Sequence, residues 1–309
     1  MKKTSKSKFL TSTVALSAIL LGMTVNISAQ EPAWKNLPPS KQHSPGHVEI
    51  PAKLQTPSRD INMVIIVKSE TYNQKHNGEM VYGGYHRYGE IFSLPISNLE
   101  SATFKRVGDE RPADEQFTMY PDYRSNFFHG GRYADFDEME QKEPGEEYQF
   151  DIKHSDGRTT SQMVPIPSGE RPGPVKLSIY QEDKEIGYTD IDYTKDLIVR
   201  WDGFNGEKDP NGIMDDYVTI QLDKCHDNGK RIYTSGVATL NATYLTFEAG
   251  EAVIPAETME KGYWYKMSGK FANVTHTSLI DNAPAVASWM SYINLEVATN
   301  GAASMSTCE

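Results

Sequence analysis

From Ile61 onward the chain is a succession of short apolar runs broken by Gly, Pro, Asn and Asp, the pattern of strands joined by turns. Residues 62–67 (NMVIIV) form a continuous, mostly β-branched run. Residues 90–96 alternate, and 102–107, 116–120 and 148–152 follow at strand length. Helical spacing shows in 134–142 (ADFDEMEQK), where Phe136 and Met139 stand three apart among acids; this predicts a turn or two of helix, ended by Pro144-Gly145. Residues 165–174 (PIPSGERPGP) hold four prolines and two glycines, too poor in backbone donors to continue a central strand. Strand texture then resumes at 175–180, 196–201, 216–222, 230–234, 242–247, 252–255, 263–271 and 289–297. The expectation is an all-β chain of two tandem antiparallel β-sandwich domains, 60–165 and 175–299, with a linker at 166–174 and a flexible tail at 300–309.

The longest apolar run stands at the start. Lys2, Lys3, Lys6 and Lys8 precede residues 14–23 (VALSAILLGM), and Ile27-Ser28-Ala29 follows. A positive segment, about ten apolar residues and a small-residue exit predict a secretory signal at 1–29 and a secreted or periplasmic location. The run is too short for a membrane span of ~20 residues, so no span is expected once the signal is cleaved. Residues 30–59 carry six prolines and read as a Pro-rich disordered leader. His43 and His47 lie four apart there, but Pro45 between them disfavours the helix that would make them a ligand pair.

The chain has 309 residues, 31 Lys+Arg against 42 Asp+Glu and a net charge of −11, which argues against duplex nucleic acid or anionic lipid as the main partner. Its 17 Tyr, 11 Phe and 4 Trp are too many rings for a chain that never packs. The two cysteines, Cys225 and Cys308, are too few for a disulfide framework or a Cys-rich zinc site. Two readings stay open: an intramolecular bridge tying down the tail, or a free terminal thiol that pairs between molecules.

The second half resembles a fibronectin type III or immunoglobulin-like module. Leu197-Ile198-Val199-Arg200-Trp201 is similar to the second strand of such domains, and residues 259–267 (MEKGYWYKM) to the approach to the penultimate strand. The resemblance implies that Trp201 fills the space between two sheets and that Tyr265 hydrogen-bonds the backbone as a tyrosine corner. Lys261 stands where the family usually has Pro. The order of 135–139, 144–150, Asp156-Gly157, the Pro-rich joint and 196–204 is similar to tandem sandwich proteins exported by bacteria, whose roles are mostly undefined.

Three constellations carry candidate chemistry. In the acidic loop 202–216 (DGFNGEKDPNGIMDD), Asp209, Asn211, Asp215 and Asp216 offer hard oxygen donors suited to calcium, yet Asp-Pro-Asn-Gly is equally a turn signal without metal. Tyr82, Tyr85, His86 and Tyr88 cluster beside glycines (YGGYHRY) and could stack on sugar or anchor a protein partner; alternatively they cover their own sheet. Residues 127–133 (FFHGGRY) repeat the flavour and are expected nearby. His76, His154, His226 and His276 sit beside turn residues and read as solvated. No nucleophile elbow or His-Glu-x-x-His helix occurs. The functional expectation is an exported non-catalytic binding or scaffold protein acting on an extracellular or envelope protein or glycan. A carbohydrate-recognition accessory and an unrecognised secreted hydrolase are the alternatives.

Overall fold

The computed structural model describes residues 45–48, 60–93, 99–110, 117–118, 120–122, 125–144, 147–167, 171–239 and 242–308. The expected signal at 1–29, most of the 30–59 leader, including His43, and parts of the strands expected at 90–96 and 116–120 lie outside them. In chain order the first half gives β1 (Pro45–His47), β2 (Ile61–Gln74), β3 (Met80–Ser93), β4 (Leu99–Arg106), β5 (Phe117–Thr118), β6 (Tyr120–Asp122), β7 (Ser125–Tyr133), α1 (Phe136–Lys142), β8 (Glu147–His154) and β9 (Thr159–Pro165). The second half gives β10 (Lys176–Gln181), β11 (Lys184–Glu185), β12 (Leu197–Asp202), β13 (Tyr217–Lys224), β14 (Arg231–Thr234), β15 (Thr243–Thr246), β16 (Glu251–Ile254), β17 (Trp264–Ile280) and β18 (Ala283–Ala298).

One long sheet, ordered β1-β15-β13-β17-β18-β2-β3-β7-β6 with β14 also on β13, runs through both halves. Two four-stranded sheets, β5-β4-β8-β9 and β11-β10-β12-β16, cover two stretches of one face, here the front. The first encloses a core of Val64, Ile66, Ile91, Phe104, Phe128, Phe150 and Ile152. The second encloses Leu177, Val199, Ile220, Leu222, Met267, Phe271, Ile293 and Leu295. The predicted all-β sandwich architecture is therefore what the chain builds, with the two sandwiches sharing a sheet.

The β17–β18 hairpin makes that sharing possible. Its strands have 17 and 16 residues, joined by Asp281 and Asn282, both at positive φ (46° and 60°) as a two-residue hairpin turn requires. At about 3.4 Å per residue such strands reach ~55 Å, far longer than one sandwich needs. The hairpin base supplies Phe271, Ile293 and Leu295 to the second core, while Ile280, Ala283, Ala285 and Ala287 near its tip enter the first. Beyond Ser288 the pairing of β18 with β2, parallel from Ala285–Val64 to Leu295–Gln74, continues the sheet across the 166–174 joint. β2 is consequently central and buried on both faces, which is why it reads as an unbroken apolar run rather than an alternating one.

α1 lies within the helical stretch expected at 134–142 and starts after an Asp135 cap. The Asp135 carboxylate accepts from Glu138 N at 2.8 Å, and Glu138 returns a bond from Ala134 N at 2.9 Å. Met139 is buried on the sheet with Phe136 beside it, packing on Tyr85, Tyr133 and Trp289 in the interval between the two cores. In the second half, Tyr265 OH accepts from Glu260 N at 2.6 Å and donates to Glu260 O at 3.3 Å, the backbone contact implied for a tyrosine corner. Trp201 departs from its implied place: it is half-buried at the margin of the second core, edge-on to Phe271 at 5.8 Å, because the centre is filled by Phe271, Leu177 and Met267. The second aromatic run, 127–133, lies in β7, paired with β3 beside the first.

Candidate functional site

Between the two cores the front of the long sheet carries charge. Lys68, Glu70 and Arg87 continue the alternation of Val64, Ile66 and Ile91, so strand geometry points them inward. α1 and the residue after it answer with Glu140 and Glu143: Lys68 Nζ donates to Glu140 Oε1 at 2.5 Å and Arg87 Nη2 to Glu143 Oε1 at 2.7 Å. Tyr133 OH (3.0 Å) and Tyr148 OH (3.3 Å) also donate to Glu143. The Arg87 guanidinium lies 5.3 Å from the Phe104 ring and 5.2 Å from Tyr148, and Lys68 lies 5.3 Å from Trp289. Burial, the largest influence, pulls the Lys68 ammonium below its ordinary value against the opposing pull of Glu140. Room for Arg87 comes from Gly130, where a Cβ would lie 2.2 Å from the Arg87 carbonyl oxygen, beside the irregularity in the β3–β7 register. The Arg87–Glu143 pair is sealed from solvent and Lys68 is buried beneath a partly exposed Glu140, so the two pairs clamp α1 to the sheet. The pattern was hidden in sequence because partners 72 and 56 residues apart share no motif.

The four residues expected to form one recognition loop lie instead in β3, where alternation divides them between faces. Tyr82 and Tyr85 are at the front, with ring centroids 5.3 Å apart, and Tyr72 stands 5.9 Å from Tyr82. His86 and Tyr88 are at the back, 5.1 Å apart, with Tyr88 5.1 Å from Phe127 and its OH 2.5 Å from Tyr292 OH. Tyr85 and Tyr88 are 7% and 8% exposed, whereas Tyr82 is 41% exposed. Beside Tyr82 the front forms a shelf: Arg171, from the Pro-rich joint, lies 4.4 Å over the Phe136 ring, donates to Glu70 Oε2 at 3.3 Å and hydrogen-bonds Tyr85 OH. Burial foremost pushes the Tyr82 hydroxyl up to about 12, so it stays neutral and able to donate at physiological pH.

The acidic loop is a hydrogen-bonded turn. Asp209 Oδ2 accepts from Ile213 N (2.8 Å), Met214 N (3.0 Å) and Thr277 Oγ1 (2.8 Å), and its Oδ1 from Asn211 N (2.9 Å). Asp215 Oδ1 accepts from Asp209 N, and Asp216 accepts from Val274 N and Glu207 N. Asn211 Nδ2 donates to Thr277 Oγ1 at 3.0 Å. These oxygens are directed at backbone amides instead of converging, and among the described residues no group of three or more His, Cys, Asp or Glu is placed to hold a metal ion. Asp209, Asn211, Asp215 and Asp216, the residues weighed for calcium, are thus engaged in the hydrogen bonds of the turn.

Cys225 and Cys308 are joined in a disulfide with Cα atoms 4.6 Å apart, tying the tail to the end of β13. His226 next to it stacks on Tyr263 at 4.0 Å. The reading of His154 as solvated is corrected: it is fully buried, between Asp60 Oδ2 at 2.9 Å and Thr160 Oγ1 at 2.8 Å, because it closes β8 against β9. His76 is exposed and stacks on Trp264.

On the back of the sheet, behind the second core, polar side chains stand in rows. Gln221, Ser268, Asn294 and Asn73 are abreast on β13, β17, β18 and β2. Thr219, Lys270, Tyr292 and Thr71 form the next row, and Asp223, Lys266 and Glu296 the one on the other side. A cleft of about 640 Å³ opens where Asn73, His76, Lys266 and Asn294 meet. A smaller one of about 70 Å³ lies between Lys270, Tyr292, Tyr88 and Tyr217. Sequence reasoning missed this surface because neutral amides spread over four strands make no linear signal.

No helix of the described residues is long and apolar enough to cross a membrane. No family model matches the chain, and no curated protein matches it. Among solved structures the chain is similar to the FN1–FN3 domains of chicken CNTN1, at 11% identity over 76% of this chain and 66% of that one, with a TM-score of 0.20. It is similar to the yeast delta-COP-I mu-homology domain at 9% identity over 80% and 98%, with a TM-score of 0.22. The BSP domain of a biofilm associated protein gives 8% identity over 81% and 68%, with a TM-score of 0.15. Likenesses at this level do not amount to a shared fold and carry nothing about role, so the all-β sandwich architecture rests on the sheets themselves.

Proposed function

We propose that the chain is an exported, non-catalytic binding or scaffold protein that meets an extracellular or envelope protein through the shelf at Tyr82. The observation that carries this reading is the contrast on the front face: Lys68, Arg87, Glu140 and Glu143 are spent on one another, while the Tyr82 ring stays 41% exposed beside the Arg171 guanidinium. Tyr and Arg are the residue types that dominate binding hot spots, and here both are held by a rigid strand and a buried carboxylate. The acidic balance and the lysine-rich, apolar start support export and a partner other than nucleic acid.

The test is affinity capture from the native cell envelope with the mature chain and with Tyr82→Ala. Loss of a partner in the variant, with the melt unchanged, supports the shelf as the contact; capture indifferent to Tyr82 overturns it. N-terminal sequencing of the exported protein checks the signal, since a retained Met1 would rule out cleavage near Ala29.

A further inference from the structure

We propose that the back of the long sheet, along the row Asn73, Asn294 and Ser268, which the buried Gln221 closes, is a binding site for a neutral oligosaccharide. It lies on the opposite face from the Tyr82 shelf and does not depend on that shelf's role. Neighbouring strands stand about 4.8 Å apart, so the three accessible positions set hydrogen-bonding side chains over roughly 10 Å, the scale of a short sugar chain.

The chemistry of the row selects the ligand class. A side-chain amide offers donors and an acceptor at once, which is what a sugar hydroxyl, itself donor and acceptor, requires. Asn294 Nδ2 donates to Asn73 Oδ1 at 3.3 Å, leaving the Asn73 amide hydrogens and the Asn294 carbonyl oxygen unspent among the described residues. In the adjoining row the Lys270 ammonium makes no hydrogen bond or ion pair among the described residues, with Glu90 and Asp223 the acids nearest in effect; it lies 5.3 Å from the Tyr292 ring and borders the smaller cleft. Burial holds this ammonium below its ordinary value, consistent with a donor kept off bulk water.

Charge argues for a neutral chain. Lys266 stands in register between Asp223 and Glu296, so that row presents no field of one sign to an anionic polymer. A peptide added as a strand would need a sheet edge, and these four strands each have neighbours on both sides within the long sheet. The larger cleft extends the row past Asn73 to His76, whose ring is stacked on Trp264 with 3° between planes and presents an aromatic surface at its end.

The experiment is isothermal titration of the mature chain with cello-, xylo-, manno-, malto- and chitohexaose and with a heparin hexasaccharide, at low and high salt. At least one neutral hexasaccharide should bind with Kd below about 1 mM and little change with salt. The double variant Asn73→Ala with Asn294→Ala should weaken it at least about tenfold. Lys270→Met should weaken it as well and guards against a folding defect in the double variant, while Tyr82→Ala should leave it unchanged. Binding of none of the neutral sugars, binding that survives both back-face variants, or capture of heparin alone that vanishes in salt would each overturn the proposal. Loss in Tyr82→Ala alone would move sugar recognition to the shelf and overturn it too.

Discussion

Arg87 and Glu143 meet with Nη2 2.7 Å from Oε1, and neither side chain reaches solvent. Two ions taken out of water repay the cost of desolvation only while both are present. Glu143→Leu or Arg87→Met alone should therefore lower stability by about 3–5 kcal/mol, whereas the double variant Arg87→Met with Glu143→Leu should cost far less than the two singles together. Urea denaturation of the four proteins closes the cycle; additive losses would mean that the pair does not act as a unit.

The turn at Asp209 predicts a loss without any calcium dependence. Its carboxylate accepts four hydrogen bonds, three of them from backbone amides that would be left unpaired beneath the loop. Asp209→Ala should cost about 2–3 kcal/mol. The parent should melt identically in chelator and in millimolar calcium, since an ion bound only by the folded state would raise the transition with its concentration. A calcium-dependent melt abolished by Asp209→Ala would restore the metal reading.

How far the sequence discloses this molecule follows from what is local. Strand texture, the short helix within 134–142 and the Tyr265 corner depend on residues a few positions apart, and all three are legible. The second half of the β17–β18 hairpin is not: 272–288 mixes Asn, Thr, His and Ala, and its alanines are small because the covering sheet packs closely over Ala283, Ala285 and Ala287. Missing that length hides the shared sheet. The YGGYHRY cluster reads as a loop because of its glycines, yet Gly83 and Gly84 sit in a strand beside a register shift with β2, and the tyrosines then obey period-two geometry. The charge layer and the amide row arise only from pairing between distant strands, which no window of sequence contains.

Asp216 sets a pH dependence of its own. Burial is the largest influence and raises its carboxyl to about 6 from 3.8, against the hydrogen bonds from Val274 N and Glu207 N. A raised acid binds more protons folded than unfolded between pH about 4 and 6, so its contribution is most favourable below that window and declines as pH rises through it. Asp216→Asn does not titrate. The stability of the parent relative to Asp216→Asn should thus shrink from pH 4 to pH 7, a difference in which the titrations of other groups cancel. An advantage that grows with pH would show a depressed carboxyl instead.

Tyr82 and Tyr88 belong to the same strand and should respond oppositely to truncation. The Tyr88 ring is stacked on Phe127, its OH is bound to Tyr292 OH and only 8% of it is exposed, so Tyr88→Ala empties part of the apolar layer of Met63, Ile65 and Met290. A loss of about 3–5 kcal/mol is expected there, and about 1 kcal/mol for Tyr88→Phe, which keeps the ring and removes one hydrogen bond. Tyr82, 41% exposed, should tolerate Ala within about 1 kcal/mol. Chemical denaturation of the three variants separates the possibilities: equal tolerance at both positions would place Tyr88 on an open surface, and equal sensitivity would make Tyr82 part of the core and remove it as a contact for any partner.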